Sequence, residues 1–440
     1  MSRVSLCASV LAAVAALSGC GGSSDTPETP VLPRAWSPVS VSAVSSLSVP
    51  EVFSDGVGGA LVVTSSPTNT LVQRFDAVAG WQLAQIFPLA TTALRSASGV
   101  TLVGHDASTW WRIDVTATTA SALIPVLPYA LTPSGPVIVS AAQNGRLLFT
   151  ESVFTESSGR KVVVREVEGA ALVATTLFDD ATGGILTAFV RDADGDWMTW
   201  WLAGRRENYT GLAMRGPTET SYVTKLSGAT GPFGDRTSLG PVRMEGDGHA
   251  SLLGALTPAV ASPTVGIWYR MISGSLQDIW TLGDVKPGRP DQTSRVVRAD
   301  GTHVWAAFDS ASASNRIWEG RTASTWVTTD ATEAACPPSR MNCQAFAAPS
   351  GTRVASLSQN AGQPATSNDL FISERAQIAG WASSARVSLA TLASAGGDAS
   401  STSHQLAAYV ESGPAQIVVG FVRYQLSPSD TRYATFATGK

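Results

Sequence analysis

The chain has 440 residues, of which 44% are hydrophobic and 15% charged, and its formal net charge is −4. Soluble domains usually carry about 25% charged residues, and a hydrophobic content this high excludes a chain that is disordered throughout. Strong helix formers such as Lys are scarce while Gly, Ser, Thr and Val are abundant, which disfavours a helical bundle, and the weak negative charge gives no reason to expect a nucleic-acid partner.

The first residues have the features of an export signal. Arg3 precedes an apolar stretch over 4–17 that is too short to span a bilayer. The stretch runs into Leu-Ser-Gly-Cys, ending at Cys20, which resembles the lipobox of bacterial lipoproteins. This resemblance implies a signal peptide over 1–19, a diacylglycerol on the Cys20 sulfur and, with Gly21 next, anchoring in the outer membrane, facing the periplasm or the cell surface. The alternatives are an ordinary signal peptide cut nearby or a start site assigned too early.

The next segment separates this anchor from the rest of the chain. Residues 20–38 contain four prolines and little that could be buried, which predicts a disordered tether leading to a domain over 39–440. Two further cysteines, Cys336 and Cys343, flank a short Pro-containing stretch. Two thiols left over in an oxidising compartment usually pair, so we expect one local disulfide, whereas a metal site would need two more ligands.

The remaining chain repeats a pattern about every 50 residues. Each copy contains a Gly turn, an alternating strand and a second strand that ends in Arg, and often a Trp follows. The repeated arginines are Arg74, Arg112, Arg165, Arg215, Arg270, Arg321, Arg375 and Arg423. Asn-Gly and Asp-Gly supply the positive φ of tight turns, and about four strands fit each period. In the sixth copy the predicted strands lie near 295–298, 303–309, 316–321 and 325–329.

A period of this length with four strands is typical of a β-propeller blade. The predicted fold is therefore all-β, a propeller of four-stranded antiparallel sheets. The eight repeated arginines predict eight blades. Seven blades are an alternative, because the spacing from Arg74 to Arg112 is shorter than the others. A sandwich array or a β-helix is a further alternative fold. The pattern is similar to repeats of exported bacterial propeller proteins, a resemblance that implies a scaffold and no particular activity.

Candidate sites for chemistry are few. The acidic run Asp192–Asp196 resembles the start of a calcium loop, but its twelfth position is Ala203 instead of Glu, so a blade turn is favoured and calcium is a minor alternative. No other cofactor or metal is predicted. His303 and His404 fall at matching positions of their copies and are interpreted as exposed residues at strand starts. The repeated Arg is interpreted as a hydrogen-bond donor at a strand end.

One aromatic cluster could bind a ligand. Trp197 and Trp201 fall on one face of a predicted strand, and Arg205 and Arg206 follow. Aromatic rings with Arg suit sugars or anionic groups, although packing between blades is the favoured role of these tryptophans.

These features favour a lipid-anchored, monomeric propeller of the cell envelope. Because no catalytic motif is recognisable, we expect a non-catalytic scaffold that binds another macromolecule, either a protein or a polysaccharide. The main alternative is a polysaccharide-active enzyme, a glycoside hydrolase or lyase whose carboxylates come from several blades. A structural envelope component without a discrete ligand is a third hypothesis.

Overall fold

The computed structural model describes most of the chain from Trp36 onward. The described residues are 36, 40–46, 48–96, 98–132, 137–141, 146–155, 159–178, 185–192, 195–203, 208–215, 223–227, 237–239, 243–246, 249–256, 265–272, 275–281, 294–298, 300–309, 314–320, 327–330, 344–358, 369–376, 380–389, 403–427 and 430–440. Within them, 34 strands and one short 3-10 turn form eight antiparallel sheets.

The first four blades follow one another along the chain. Blade 1 consists of β2 (Glu51–Ser54), β3 (Gly59–Ser65), β4 (Thr70–Asp76) and a split outer strand, β5 (Gly80–Trp81) and β6 (Gln85–Phe87). Blade 2 consists of β7 (Thr91–Ser96), β8 (Gly99–His105), β9 (Thr109–Thr116) and β10 (Ile124–Pro128), followed by the 3-10 turn Tyr129–Leu131. Blade 3 consists of β11 (Val137–Ala141), β12 (Leu147–Thr155), β13 (Gly159–Glu168) and β14 (Ala171–Phe178). Blade 4 consists of β15 (Ile185–Asp192), β16 (Gly195–Ala203), β17 (Asn208–Arg215) and β18 (Val223–Ser227).

The last four blades repeat this plan. Blade 5 consists of a split first strand, β19 (Thr237–Leu239) and β20 (Arg243–Gly246), with β21 (His249–Leu256), β22 (Val265–Ile272) and β23 (Ser275–Thr281). Blade 6 consists of β24 (Ser294–Val297), β25 (His303–Asp309), β26 (Ser314–Gly320) and β27 (Val327–Asp330). Blade 7 consists of β28 (Gln344–Ala347), β29 (Arg353–Ser358), β30 (Asp369–Ala376) and β31 (Gly380–Ser388). Blade 8 consists of β32 (Ser403–Ser412), β33 (Ala415–Ser427), β34 (Asp430–Gly439) and β1 (Ser40–Ser46).

Blade 8 closes the ring, because its outer strand comes from the other end of the chain. β1 pairs antiparallel with β34, with Ser40 opposite Ala437 and Ser46 opposite Tyr433. Its backbone hydrogen bonds therefore join the first and last parts of the domain, and the exposed edge of β34 is covered.

Apolar clusters between neighbouring blades form the core. The described clusters lie between blades 6 and 7, 7 and 8, 8 and 1, 1 and 2, and 2 and 3. The second strand of a blade packs on both faces, so β3 buries six successive residues instead of alternating. The first strands of neighbouring blades contact one another, for example β2 with β32 and β24 with β28, which places them on the inner side of the ring.

The strand order also defines two ends of the ring. At the lower end the first strand turns into the second and the third into the fourth. At the upper end the second strand turns into the third, and each blade connects to the next.

The predicted propeller fold is confirmed, and in the sixth copy the observed β24 to β27 agree closely with the predicted strands. The predicted turn glycines adopt positive φ, 77° at Gly301 and 69° at Gly351. Six of the repeated arginines lie on a third strand, and Arg321 lies outside the described residues. The eighth copy was misaligned, because Arg423 lies on the second strand of blade 8.

Candidate functional site

The residues proposed from the sequence as a ligand site lie in blade 4. Trp197 and Trp201 belong to β16, which pairs with β17 without a register shift, so these two positions share one face of the sheet. β16 is a second strand, between β15 and β17, and not an end loop. Arg205 and Arg206 lie outside the described residues.

The predicted anchor and disulfide also fall outside the described part of the chain. Lipid attachment at Cys20 and a disulfide between Cys336 and Cys343 therefore remain predictions. Within the described ranges no helix has the length and hydrophobicity to cross a bilayer.

The acidic run in blade 4 forms a hairpin at the lower end. Asp192 is the last residue of β15 and pairs with Gly195, the first residue of β16. This backbone arrangement is the predicted blade turn. Among the described residues no three His, Cys, Asp or Glu side chains come together as a metal site.

The interpretation of the histidines was wrong. His303 and His404 are buried, with exposed fractions of 2% and 1%. They also lie at opposite ends of the ring, because His303 begins the second strand of blade 6 whereas His404 is the second residue of the first strand of blade 8. Desolvation lowers the pKa of His404 to about 4, so this ring is neutral at pH 7.

A buried carboxylate joins blades 8 and 1 at the lower end. Asp55 follows β2 and its side chain is completely buried. Its Oδ1 accepts hydrogen bonds from the Val57 amide (2.9 Å), the Gly59 amide (2.8 Å) and the Ser412 hydroxyl (2.6 Å), the last from blade 8. Its Oδ2 accepts one from Arg74 Nε at 2.6 Å. We call Asp55, Arg74 and Ser412 the closure cluster.

Two further contacts complete the closure cluster. The Ser412 hydroxyl oxygen also accepts from the amides of Gly58 (2.9 Å) and Gly59 (3.1 Å). Gly59 leaves room for the ion pair, since a Cβ there would lie 2.3 Å from Asp55 Oδ2 and 2.7 Å from Arg74 Nε. Burial raises the pKa of Asp55, but the hydrogen bonds from Ser412, Val57, Arg74 and Gly59 outweigh it, so its pKa lies below the ordinary value.

A second carboxylate, partly buried, joins blades 6 and 7, also at the lower end. Glu319, near the end of β26, forms an ion pair with Arg298 of its own blade. It also accepts hydrogen bonds from blade 7, from Arg375 Nε at 2.8 Å and the Trp381 indole at 3.1 Å. Burial opposes ionisation, but the Arg375 hydrogen bond and the charges of Arg298 and Arg375 lower the pKa of Glu319 below its ordinary value. We call these four residues the arginine cluster.

Two other repeated arginines are hydrogen-bond donors as predicted, although they lie within their strands and not at a strand end. Arg112 donates from Nε to Asp114 Oδ1 at 2.9 Å, and Arg165 donates from Nη1 to Glu151 Oε2 at 2.9 Å. With Arg74 and Arg375, four of them bind carboxylates within or between blades. The carboxylates of Asp55 and Glu319 are thus held ionised, which suits a structural role and not that of a general acid near neutral pH.

The upper end of blade 2 carries an aromatic cluster that sequence reasoning did not select. His105, exposed at the end of β8, stacks on Tyr129 with ring centroids 4.3 Å apart and planes 16° apart. Its ring also lies 4.6 Å from that of Trp110. Trp110 is held below them, because it packs edge-on against Phe149 of blade 3 and its indole donates to Thr132 Oγ1 at 2.8 Å.

The neighbouring turn fixes a second indole, which lies on the face of β9 opposite to Trp110. Asp106 Oδ2 accepts from Trp111 Nε1 at 2.7 Å, and its Oδ1 accepts from the amides of Ser108 (2.7 Å) and Thr109 (2.8 Å). The amide of Ser108 and the Trp111 indole hold the pKa of exposed Asp106 well below its ordinary value. Leu131, with 39% of its surface exposed, follows Tyr129 in the 3-10 turn. We call His105, Trp111, Tyr129 and Leu131 the upper patch.

The upper patch presents partly exposed rings at the upper end of blade 2, with His105 and Tyr129 on one face of the sheet and Trp111 on the other, next to one fixed carboxylate. Aromatic side chains in such a setting offer a large contact area at low entropic cost, to a protein or a sugar ring. In the sequence its signal is the Trp110-Trp111 pair behind the turn His105–Thr109. The pair does not by itself predict the cluster, because no local pattern shows that Tyr129 stacks next to it.

No protein-family model matches the chain, and no curated protein matches it. Among solved structures, it is similar to the β-propeller domain of the Trilobed protease from Pyrococcus furiosus, with 10% identity, 78% of this chain and 95% of that chain covered, and a TM-score of 0.40. It is also similar to an acylaminoacyl peptidase of Pyrococcus horikoshii, with 10% identity, coverages of 88% and 59%, and a TM-score of 0.42. A neuraminidase-like protein of A/little yellow-shouldered bat shares 9% identity over 70% of this chain and 93% of that chain, with a TM-score of 0.35.

The chain spans about three fifths of the length of the Pyrococcus horikoshii peptidase. At these identities the similarities concern the fold alone.

Proposed function

We propose that this protein is a lipid-anchored propeller of the cell envelope, carried in the outer membrane by Cys20, and that it binds another macromolecule without transforming it. The observation that carries the proposal is the upper patch. It combines stacked rings, an indole fixed by Asp106 and an exposed apolar side chain at one end of a rigid ring.

The closure cluster and the arginine cluster support a structural role for the lower end and a binding role for the upper end. Asp55 and Glu319 join blades at the lower end, where their charges are balanced by arginines. The upper end of blade 2 instead presents side chains that solvent or a partner can reach. Loops held by a rigid scaffold are the usual place for binding residues.

The binding test compares the upper patch with another exposed part of the chain. A photo-crosslinking amino acid at Ala130, in the 3-10 turn, is expected to form adducts in intact cells, whereas the same residue at Leu172, on the outer strand of blade 3, is not. Tyr129→Ala should weaken binding of the captured partner roughly five- to thirtyfold, the range of an interface hot spot, and Leu172→Ala should leave it unchanged. Equal adducts at both positions would refute the upper patch as the binding surface.

The anchor is tested separately. Metabolic labelling with palmitate should mark the wild-type chain, and Cys20→Ala should abolish both the label and fractionation with the outer membrane. A labelled Cys20→Ala chain, or an unlabelled wild type, would contradict lipid anchoring.

One observation favours the alternative of a polysaccharide-active enzyme. Glu51 begins β2, an inner strand, at the upper end of the ring, and desolvation raises its pKa although the residue is exposed. A carboxyl with a raised pKa on a channel wall could act as a general acid. Release of reducing ends or unsaturated products from envelope polysaccharide, lost in Glu51→Gln and kept in Glu168→Gln, would establish that alternative.

A further inference from the structure

Exposed apolar side chains are concentrated in one blade. Of the eleven large hydrophobic residues that are exposed within the described part of the chain, five lie between Val49 and Ile86 in blade 1. The two most exposed are Val78 (96%) and Leu83 (95%). Isolated exposed apolar residues need no explanation, but such a concentration marks an interaction surface.

Three of these residues lie at the lower end of blade 1. Val57, 67% exposed, is in the turn between the first and second strands, and Val78 is in the turn between the third and fourth. The two turns are neighbours, because the Ala77 amide donates to the Gly58 carbonyl at 3.3 Å. Leu83 follows β5 on the outer edge of the same blade. We call Val57, Val78 and Leu83 the apolar corner.

The first described residue, Trp36, lies near the end of the predicted tether and packs edge-on against Tyr409 of blade 8, and β1 then begins beside the apolar corner. Ser40 begins β1, and its carbonyl oxygen accepts a hydrogen bond from the Trp81 indole at 3.2 Å. Trp81 is two residues from Leu83 and is fixed in turn by edge-on packing on Phe75. The start of β1, four residues after Trp36, therefore lies next to the turn that carries the most exposed apolar side chains.

The local charges are already satisfied. Arg74 is bound by Asp55 at 2.6 Å and by Asp76 at 2.9 Å, and Asp76 also accepts from the amide of Val78 itself. The corner thus presents apolar side chains on a rigid base, with its nearby arginine paired to carboxylates. Such a surface suits the apolar interior of a lipid bilayer and does not select for anionic lipid.

We propose that the apolar corner rests in the surface of the bilayer that holds the Cys20 lipid, so that the propeller is oriented on the membrane instead of moving freely on its tether. This inference rests on the proposed lipid anchoring. A tether of about twenty residues keeps the domain close to the membrane, and at that effective concentration weak insertion of a few side chains is sufficient.

Photolabelling from the lipid phase tests this orientation. The full lipidated chain is reconstituted in vesicles of phosphatidylethanolamine and phosphatidylglycerol that contain a phospholipid with a diazirine in its acyl chain, and labelled peptides are mapped by mass spectrometry. We expect label on the segment containing Val78 and Leu83 and not on the control pair Leu172 and Val173, which are 44% and 43% exposed on blade 3. The label should persist when phosphatidylglycerol is omitted.

Matched variants show whether the side chains cause the contact. Val78→Ser with Leu83→Ser should reduce labelling of that segment about tenfold, because two fully exposed apolar groups no longer favour lipid, while Leu172→Ser with Val173→Ser should not change it. Both pairs should leave the melting temperature unchanged, since the side chains are exposed.

The outcomes separate this inference from the proposed function. A chain that floats with the vesicles but is labelled equally at blades 1 and 3, or whose label survives the serine substitutions, overturns the orientation and leaves the anchor in place. A chain that carries no lipid and does not float overturns both.

Discussion

The closure cluster and the arginine cluster both join two neighbouring blades through a carboxylate, but the groups that bind the carboxylate differ. Each places a carboxylate between two blades at the lower end, completely buried for Asp55 and partly buried for Glu319. Asp55 obtains most of its hydrogen bonds from turn amides and from Ser412, whereas Glu319 is bound by the side chains of two arginines and a tryptophan. The hydrogen bonds to Asp55 come largely from backbone amides, so they form only when its turn is folded. The hydrogen bonds to Glu319 come from side chains, so a single substitution can remove one of them.

The largest effect is expected at the closure cluster. Asp55→Ala leaves Arg74 with one fewer partner in a partly buried site and removes the acceptor of two amides and one hydroxyl. We expect the free energy of unfolding to fall by about 4 kcal/mol, measured by urea denaturation. A change of less than about 1 kcal/mol would show that the joint between blades 8 and 1 does not depend on this carboxylate.

The arginine cluster should be slightly more tolerant. Glu319→Ala leaves Arg298 and Arg375 facing each other without their carboxylate, but Arg375 has 29% of its side chain exposed and can turn to solvent. The expected loss is about 3 kcal/mol in the same assay. A greater loss than for Asp55→Ala would reverse the comparison.

The contacts that Asp55 and Glu319 make between blades should both weaken in acid. The folded-state pKa of each carboxyl is lowered, so its contribution is complete above the unfolded pKa of about 4 and is lost as the pH falls towards the folded value. Urea titrations between pH 7 and pH 3 should show less acid destabilisation in Asp55→Asn and Glu319→Gln than in the wild type. An unchanged slope in both variants would place the acid-sensitive groups elsewhere.

A smaller effect is expected from the serine that links blade 8 to blade 1. Ser412→Ala removes one hydrogen bond to Asp55 and the acceptor of the Gly58 and Gly59 amides, at an expected cost of about 1–2 kcal/mol. Ser412→Thr keeps the hydroxyl and serves as the control. If Ser412→Ala matched Asp55→Ala, the inter-blade hydroxyl and not the ion pair would dominate the joint.

The smallest effect is expected at an ion pair outside both clusters. Arg386, with 68% of its side chain exposed, binds Asp369 within blade 7. Because water screens such a pair, Arg386→Ala should leave the melting temperature unchanged within error. A clear decrease would mean that ion pairs stabilise this propeller wherever they occur.

The repeat pattern was sufficient to predict the blades but not the point of ring closure. The strands of blade 6 were predicted closely, because the Asp300-Gly301 turn and the alternation around Trp305 are local signals. Arg423 was misaligned because blade 8 takes its outer strand from residues 40–46, so the last copy has three strands instead of four. No local pattern shows that a strand pairs with one nearly 400 residues away.

The functional surfaces were predicted less well for the same reason. His404 was expected to be exposed, but Phe436 and the rest of the blade 7 and 8 interface cover it. The upper patch combines His105 with Tyr129, 24 positions later, and neither residue stands out by itself. The apolar corner likewise depends on the contact between two turns.

The sequence by itself determined the periodic part of this protein: the turn glycines, the four-stranded repeat and the hydrogen-bonding role of four repeated arginines. These follow from residue type and spacing, which act over a few residues. Only the tertiary structure decided which strand closes the ring, which carboxylates join blades and which side chains remain exposed, because burial and pairing depend on neighbours brought together by the closed ring.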